Sequence, residues 1–175
     1  MFEEDDFEYR REKLEQMPLY KKAHEIMNIV FRIGKIDSDD ITTAGEQERE
    51  MIEFSIDEMR SNATIISAKI AGAEAMELYD LKMENAAIIR KAAREIITNA
   101  RGLEMNGFKE TDYLDLLRNE IEEMRILFAE WVKTFDPFNY IIDRWGLFNP
   151  PGVNYDDHDP DDDIPFNPDD YFNDL

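Results

Sequence analysis

An uninterrupted row of apolar residues, spaced alternately three and four apart, most constrains what this chain can fold into. The row lies between Thr111 and Phe135 and consists of Leu114, Leu117, Ile121, Met124, Phe128, Trp131 and Phe135. On a helix of about 3.6 residues per turn, these side chains form one stripe that other helices must cover. The spacing therefore predicts a helix that packs in a bundle.

Two further stripes predict two helices in the first half of the chain. One begins at Pro18, a residue suited to the first turn of a helix, and extends to Gly34. The next begins near Thr43, which forms a Thr-x-x-Glu capping box with Glu46. Its buried face is predicted to be Ile52, Ile56, Met59, Ala63, Ile66 and Ile70. Just after Gly72, the positions that continue this buried face are occupied by charged residues, so we expect a turn or sharp bend there.

A fourth stripe follows this bend and ends at Asn106-Gly107, a pair typical of a helix end. An alternative is one unbroken helix from Thr43 to about Leu103, but at ~1.5 Å per residue it would span roughly 90 Å. That length exceeds what its neighbours can cover, so the bend is preferred. The stripe consists of Leu78, Leu81, Ile89, Ala92, Ile96, Ala100 and Leu103.

The predicted fold class is all-α, an up-and-down four-helix bundle with an irregular acidic C-terminal tail. Residues 1–17 form a charged N-terminal segment whose helicity the sequence leaves open, and residues 18–135 form the bundle. Residues 136–175 form the tail, where prolines interrupt a segment rich in Asp and Asn. The tail begins with an aromatic stretch from Phe138 to Phe148, and we expect this stretch, through Trp145, to pack on the bundle.

Composition restricts the classes of function. The chain has no cysteine, which removes disulfides, thiolate metal sites and cysteine nucleophiles. The segment from Met1 to Glu12 lacks the features of a secretory signal, and no apolar run approaches membrane-spanning length. We therefore expect a cytoplasmic protein that does not act at a membrane.

The formal net charge is −21, and residues 136–175 contain eleven Asp and a single base, Arg144. Nucleic-acid affinity comes largely from Lys and Arg that neutralise phosphates, so we expect no direct nucleic-acid binding. A protein with a basic surface is a better partner for such a chain. The alternative is that the charge serves only solubility.

The layout resembles the four-helix bundle family encoded by intervening sequences in bacterial large ribosomal RNA genes. The similar stretches are Tyr20-Lys-Lys-Ala-His-Glu-Ile26, Ile65-Ile-Ser-Ala-Lys-Ile-Ala71 and Tyr113-Leu-Asp-Leu-Leu117. The family's usual Asn-Ile-x-Glu-Gly stretch is replaced here by Lys69-Ile70-Ala71-Gly72-Ala73. The resemblance implies a helical homo-oligomer. A related group binds RNA through basic surfaces, which this acidic chain lacks.

Four carboxylates give the strongest enzyme signal. Glu50-x-x-Glu53 and Glu77-x-x-Asp80 resemble the paired motifs of magnesium-dependent all-α nucleotide pyrophosphohydrolases, where such carboxylates converge on the metal. In the predicted hairpin the two pairs instead lie at opposite ends, roughly 25–30 Å apart at ~1.5 Å per residue. His24 and His158 form no ligand pair. We therefore predict no metal, no cofactor and no catalytic residue.

The tail contains the most distinctive string, Asp161-Asp162-Asp163-Ile164-Pro165-Phe166. It resembles the acidic tip of bacterial single-stranded DNA-binding proteins, which docks a terminal Phe into basic, apolar pockets, although here nine residues follow Phe166. The predicted partner-binding residues are Asp161, Asp162, Asp163, Ile164, Phe166, Tyr171 and Phe172. Carboxylates can steer such a segment to a basic groove while its apolar side chains supply buried area. A merely solubilising tail is the alternative.

A small basic patch on the fourth stripe's helix, Arg90, Lys91 and Arg94, is suited to a phosphate or to the chain's own acidic tail. A solvated helix face is its simpler interpretation. Taken together, the sequence favours a non-enzymatic interaction or scaffold protein whose acidic tail contacts a basic partner or a neighbouring subunit. The alternative function is a magnesium-dependent nucleotide pyrophosphohydrolase.

Overall fold

The computed structural model describes residues 2–40 and 45–159, and within these the side chains of residues 8–35 and 45–159. All regular secondary structure in the described part is helical, and this part contains no strand, as predicted. Its five helices are α1 (Phe2–Gln16), α2 (Pro18–Asp40), α3 (Glu46–Glu74), α4 (Tyr79–Met105) and α5 (Thr111–Val132). The N-terminal segment, which the sequence left open, is therefore helical over residues 2–16.

The predicted apolar stripes supply the core. The principal contacts between helices connect α2 with α3, α3 with α4, α4 with α5, and α5 with α2. All six residues of the α3 stripe are buried, as are six of the seven in the last stripe, with Phe128 half-buried. On α4, Leu78 and Leu81 are only half-buried, whereas the stripe from Ile89 onward is buried. One continuous core results.

The helix ends near Gly72 and Asn106 agree with the sequence. The chain leaves α3 at Glu74 and enters α4 at Tyr79, so the unbroken-helix alternative is wrong. After α4, Gly107 adopts φ +86°, its N–H donates to the carbonyl of Glu104, and the N–H of Phe108 donates to the carbonyl of Leu103. These two bonds satisfy carbonyls that the helix leaves free, which is how a glycine ends a helix.

Two predicted boundaries on α2 and α3 are wrong. Helix α2 continues past Gly34 to Asp40, because an isolated glycine within a helix is tolerated at a modest cost. The Arg60 guanidinium of α3 occupies the space that a Cβ at Gly34 would fill. Helix α3 begins at Glu46, where the N–H of Gly45 donates to the carboxylate of Glu48 at 3.2 Å. Thr43 of the predicted capping box lies outside the described residues.

The helix α5 ends at Val132, three residues before the predicted Phe135, although Phe135 is still buried. Residues 136–159 follow without regular structure. In the described part of the chain, none of the helices combines the length and apolarity needed to cross a bilayer.

Candidate functional site

The irregular segment after α5 is anchored to the turn between α3 and α4. The N–H of Tyr79 donates to the carbonyl of Asn139 at 2.7 Å, and the N–H of Ile141 donates to the Asp80 carboxylate at 3.0 Å. Ile142 and Pro150 are buried. The predicted return of this segment onto the helices is thus confirmed, and Asp80 serves as its anchor.

A tight loop follows, here called the tryptophan loop (residues 143–149), and it is organised around one carboxylate. Asp143 accepts the backbone N–H groups of Trp145 and Leu147 at 2.8 Å and of Phe148 at 2.9 Å. The bond from Trp145, followed by those from Leu147 and Phe148, lowers the pKa of Asp143, because these donors stabilise the charged form. The side chain of Asn149 closes the loop by bonding both backbone groups of Asp143.

Two further features hold the tryptophan loop. Gly146 adopts φ +71°, a left-handed conformation that glycine reaches at little cost. The Arg144 guanidinium donates to the carbonyls of Tyr155 at 2.9 Å and Asp157 at 2.8 Å, which ties the loop to the chain that follows. The loop is therefore fixed by its own hydrogen bonds rather than by burial.

This fixed loop presents apolar side chains outward. Trp145 is 90% exposed and Leu147 is 74% exposed. The other exposed large apolar side chains of the same segment are Phe138, Ile141 and Tyr155. We expected the aromatic stretch to pack on the bundle as far as Trp145, and at Trp145 itself this expectation is wrong. Ile142 of this segment is buried instead, and its five exposed large apolar side chains are here together called the tryptophan surface (Phe138, Ile141, Trp145, Leu147 and Tyr155).

The sequence did not identify this arrangement, although part of the signal was present. Asp143-Arg-Trp-Gly146 has the Asp and Gly positions of a tight turn in which the Asp side chain binds backbone amides. That pattern indicates a loop at residues 143–146. It carries no information about which aromatic side chains the loop exposes.

A second surface is an open apolar groove of about 800 Å³ between α4 and α5, which contact each other less extensively than the other neighbouring pairs among α2 to α5 do. Its floor includes Ile89, Ala93, Ile97, Ile121, Met124 and Phe128. Its rim carries five arginines: Arg90, Arg94, Arg101, Arg118 and Arg125. We call this site the arginine groove. The predicted basic patch contributes Arg90 and Arg94 to it, whereas Lys91 is not among its lining residues.

The arginines of the groove differ in their partners. Arg118 pairs with Glu104 at 2.7 Å, and Arg125 pairs with Glu122. For Arg90, Arg94 and Arg101 the described residues provide no side-chain hydrogen bond or ion pair. Because acidic residues outnumber basic ones 41 to 20, it is unexpected that three arginines around one apolar groove have no carboxylate partner within the described part of the chain. They give the groove a positive rim.

The four candidate metal carboxylates are not brought together. Glu50 and Glu53 are exposed in the first two turns of α3, whereas Glu77 and Asp80 lie beyond the far end of that helix. At ~1.5 Å per residue, α3 separates the two pairs by roughly 30 Å. Within residues 8–35 and 45–159, no group of three or more His, Asp or Glu side chains is placed to hold a metal ion.

The other predicted positions are partly described. His24 is half-buried and packs edge-on against Tyr20, with ring centroids 4.5 Å apart. The predicted partner-binding residues of the tail, Asp161 to Phe172, lie outside the described residues. No family model, curated protein or solved structure matches the chain.

Proposed function

We propose that α2 to α5 form an up-and-down four-helix bundle and that the protein is a non-enzymatic interaction or scaffold protein. Its C-terminal segment, residues 136–175, contacts a basic partner or a neighbouring subunit. The observation that carries this proposal is the exposure of Trp145 on a loop fixed by Asp143. Large apolar side chains held outward in an ordered loop are typical of a recognition surface.

The energetics support a binding role for the tryptophan surface. Fully burying one large apolar side chain contributes about 1.5–3 kcal/mol, so Trp145 and Leu147 together supply a substantial part of a specific interaction. The hydrogen bonds to Asp143 hold the loop in shape before any contact is made. A partner therefore loses little free energy in ordering it, which is the advantage of a preorganised site.

The surrounding charge favours a basic partner. The described tail carries five carboxylates, Asp136, Asp143, Asp156, Asp157 and Asp159, and one base, Arg144, whose guanidinium is engaged by backbone carbonyls. Carboxylates around an apolar centre steer a positively charged surface toward it and repel acidic proteins. The five apolar side chains of the tryptophan surface then supply the buried centre.

The double variant Trp145→Ala/Leu147→Ala tests the proposal. Both side chains are exposed, so the helices should be unaffected, and we expect the variant to lose the proteins that co-purify with the tagged chain, or its oligomeric mass in light scattering. The matched control is Met51→Ala/Phe54→Ala, which removes exposed apolar side chains from α3. The proposal is wrong if the double variant and its control both keep the parent's partners and oligomeric mass, and if a chain that lacks residues 150–175 keeps them as well.

A further inference from the structure

We propose that the arginine groove between α4 and α5 is the binding site for the acidic, apolar segment 161–172 of the same chain. This inference rests on the proposed function only in that both assign binding to the C-terminal segment. It identifies the groove as the place where that segment is held when no partner is bound, so a basic partner has to compete with the groove for it.

The groove has the chemistry that such a segment needs. Its floor is apolar, and Ile97 and Phe128 within it are only half-buried, so each has surface left to cover. Arg90 and Arg94 are neighbours one turn apart on α4, and Arg101 lies two turns further along, so the three span about 16 Å of rim at ~1.5 Å per residue. The site therefore combines a hydrophobic contact with a row of positive charges.

The segment has the complementary pattern. Three consecutive carboxylates, Asp161 to Asp163, precede Ile164 and Phe166, and a second pair, Asp169-Asp170, precedes Tyr171 and Phe172. At ~3.3 Å per residue in an extended chain, Asp163 and Asp169 are at most about 20 Å apart, comparable with the length of the rim. Guanidinium groups pair well with carboxylates, particularly beside an apolar surface that excludes water.

The segment is long enough to reach the groove of its own chain. Ile141 is anchored at Asp80, and Arg144 of the following loop holds the carbonyl of Asp157, so the described chain ends close to that loop. Arg101, at the far end of the rim, lies roughly 32 Å from Asp80 along α4 at ~1.5 Å per residue. Residues 160–172 span up to about 43 Å when extended. A tethered segment that can reach its site experiences an effective concentration on the order of millimolar, which favours the groove of the same chain over that of a second copy.

Paramagnetic broadening in the full chain tests the inference. Because the chain has no cysteine, Asn173→Cys gives a single attachment point for a spin label beside the segment. We expect the label to broaden the methyl resonances of Ile97 and Ile121 in the groove strongly. Ile33 of α2, which does not line the groove, should be broadened much less.

Charge reversal supplies the matched controls. Arg90→Glu/Arg94→Glu in the labelled chain should remove most of the broadening at Ile97, while an unchanged Ile33 resonance shows that the core is intact. Lys91→Glu/Lys109→Glu changes the net charge equally but leaves the groove untouched, and should retain the broadening. Equal broadening in both variants, or none at Ile97 in the parent chain, overturns the proposal.

A mixed sample separates the chain's own segment from that of a second copy. Spin-labelled chain without isotopes is mixed with isotope-labelled chain that carries no spin label. We expect no broadening at Ile97, and broadening there would overturn the assignment to the same chain. Because none of these measurements uses a partner or changes Trp145, their failure is distinct from a failure of the proposed interaction function.

Discussion

The indole N–H of Trp131 donates to the carboxylate of Glu74 at 2.8 Å, which joins the last turn of α5 to the end of α3. Trp131 also packs edge-on against Phe135, with ring centroids 4.8 Å apart. The irregular C-terminal segment leaves the helices immediately after this contact. It is anchored at Tyr79 and Asp80, which follow shortly after Glu74 in the sequence. The contact therefore fixes the platform from which the tryptophan loop projects.

Replacing Trp131 with Phe should lower the free energy of unfolding by about 1–2 kcal/mol, because the indole hydrogen bond and part of the buried volume are lost. Urea unfolding followed by far-UV circular dichroism measures this change. Glu74→Gln is the control, since its amide oxygen still accepts the indole N–H, and should change stability by less than about 0.5 kcal/mol. A Trp131→Phe chain as stable as the parent would contradict the importance of the contact.

Lys22 of α2 is the centre of a charge cluster with α5. Its ammonium group contacts Glu120 and Glu123 of α5 and Glu25 of its own helix. These hydrogen bonds, that with Glu120 foremost, raise the pKa of Lys22. A lysine whose pKa is higher in the folded than in the unfolded state stabilises the fold. The full contribution is present below the pKa of the unfolded state, about 10.4, and it is lost as the pH rises through the pKa of the folded state. Between pH 5 and 9 this contribution is therefore constant.

Lys22→Met should reduce stability by about 1–2 kcal/mol at neutral pH, since it leaves Glu120 and Glu123 beside each other without their common cation. Added salt should shrink the deficit by screening the exposed carboxylate of Glu123. Urea denaturation at low and high salt measures both effects. Lys133→Met, which removes an exposed pair with Glu130, is the control and should be nearly neutral. Equal effects from the two variants would contradict this role of Lys22.

The tryptophan loop should depend on pH through Asp143, whose pKa is lowered by the amides it binds. A depressed carboxyl pKa contributes stability above its unfolded value of about 3.9, and the contribution is lost as the pH falls through the folded value. We expect the Leu147 amide resonance to be constant from pH 5 to 8 and to shift only below about pH 4.

Asp143→Asn should shift the Leu147 and Phe148 amide resonances at every pH and abolish their acid transition, because a neutral amide offers one acceptor oxygen instead of two. Asp156→Asn, a change in an exposed carboxylate of the same segment, should leave the transition in place. A transition that persists without the Asp143 carboxylate would show that another group organises the loop.

The helices were largely predictable because burial imposes a period on the sequence. Ile52 to Ile70 on α3 keep one face in the core over several turns, and that regularity is visible without a structure. The extension of α2 past Gly34 was not predictable, because an isolated glycine is compatible with both a helix end and a helix interior. The start of α3 was predicted near Thr43, whereas α3 begins at Glu46, after a Gly45 whose N–H donates to the Glu48 carboxylate.

The candidate surfaces were less predictable, for a related reason. Residues 136–159 have no repeating period, so the side on which Trp145 lies is decided by the hydrogen bonds of Asp143 and by Arg144. The arginine groove joins Arg90 on α4 with Arg125 on α5, which are distant in sequence and meet only because these helices are neighbours. The sequence indicated two of the five arginines of this site, Arg90 and Arg94, but not the apolar floor beneath them.

Site-specific photocrosslinking in the native host tests the central claim most directly. A photoreactive amino acid replaces Trp145 in the full chain and, in a matched chain, Met105, which is 87% exposed at the end of α4. We predict a discrete adduct from position 145 that is absent from position 105. An excess of the unmodified chain should suppress this adduct, whereas an excess of the Trp145→Ala chain should not. Identical adducts from both positions, or none from position 145, would contradict a binding role for the tryptophan surface.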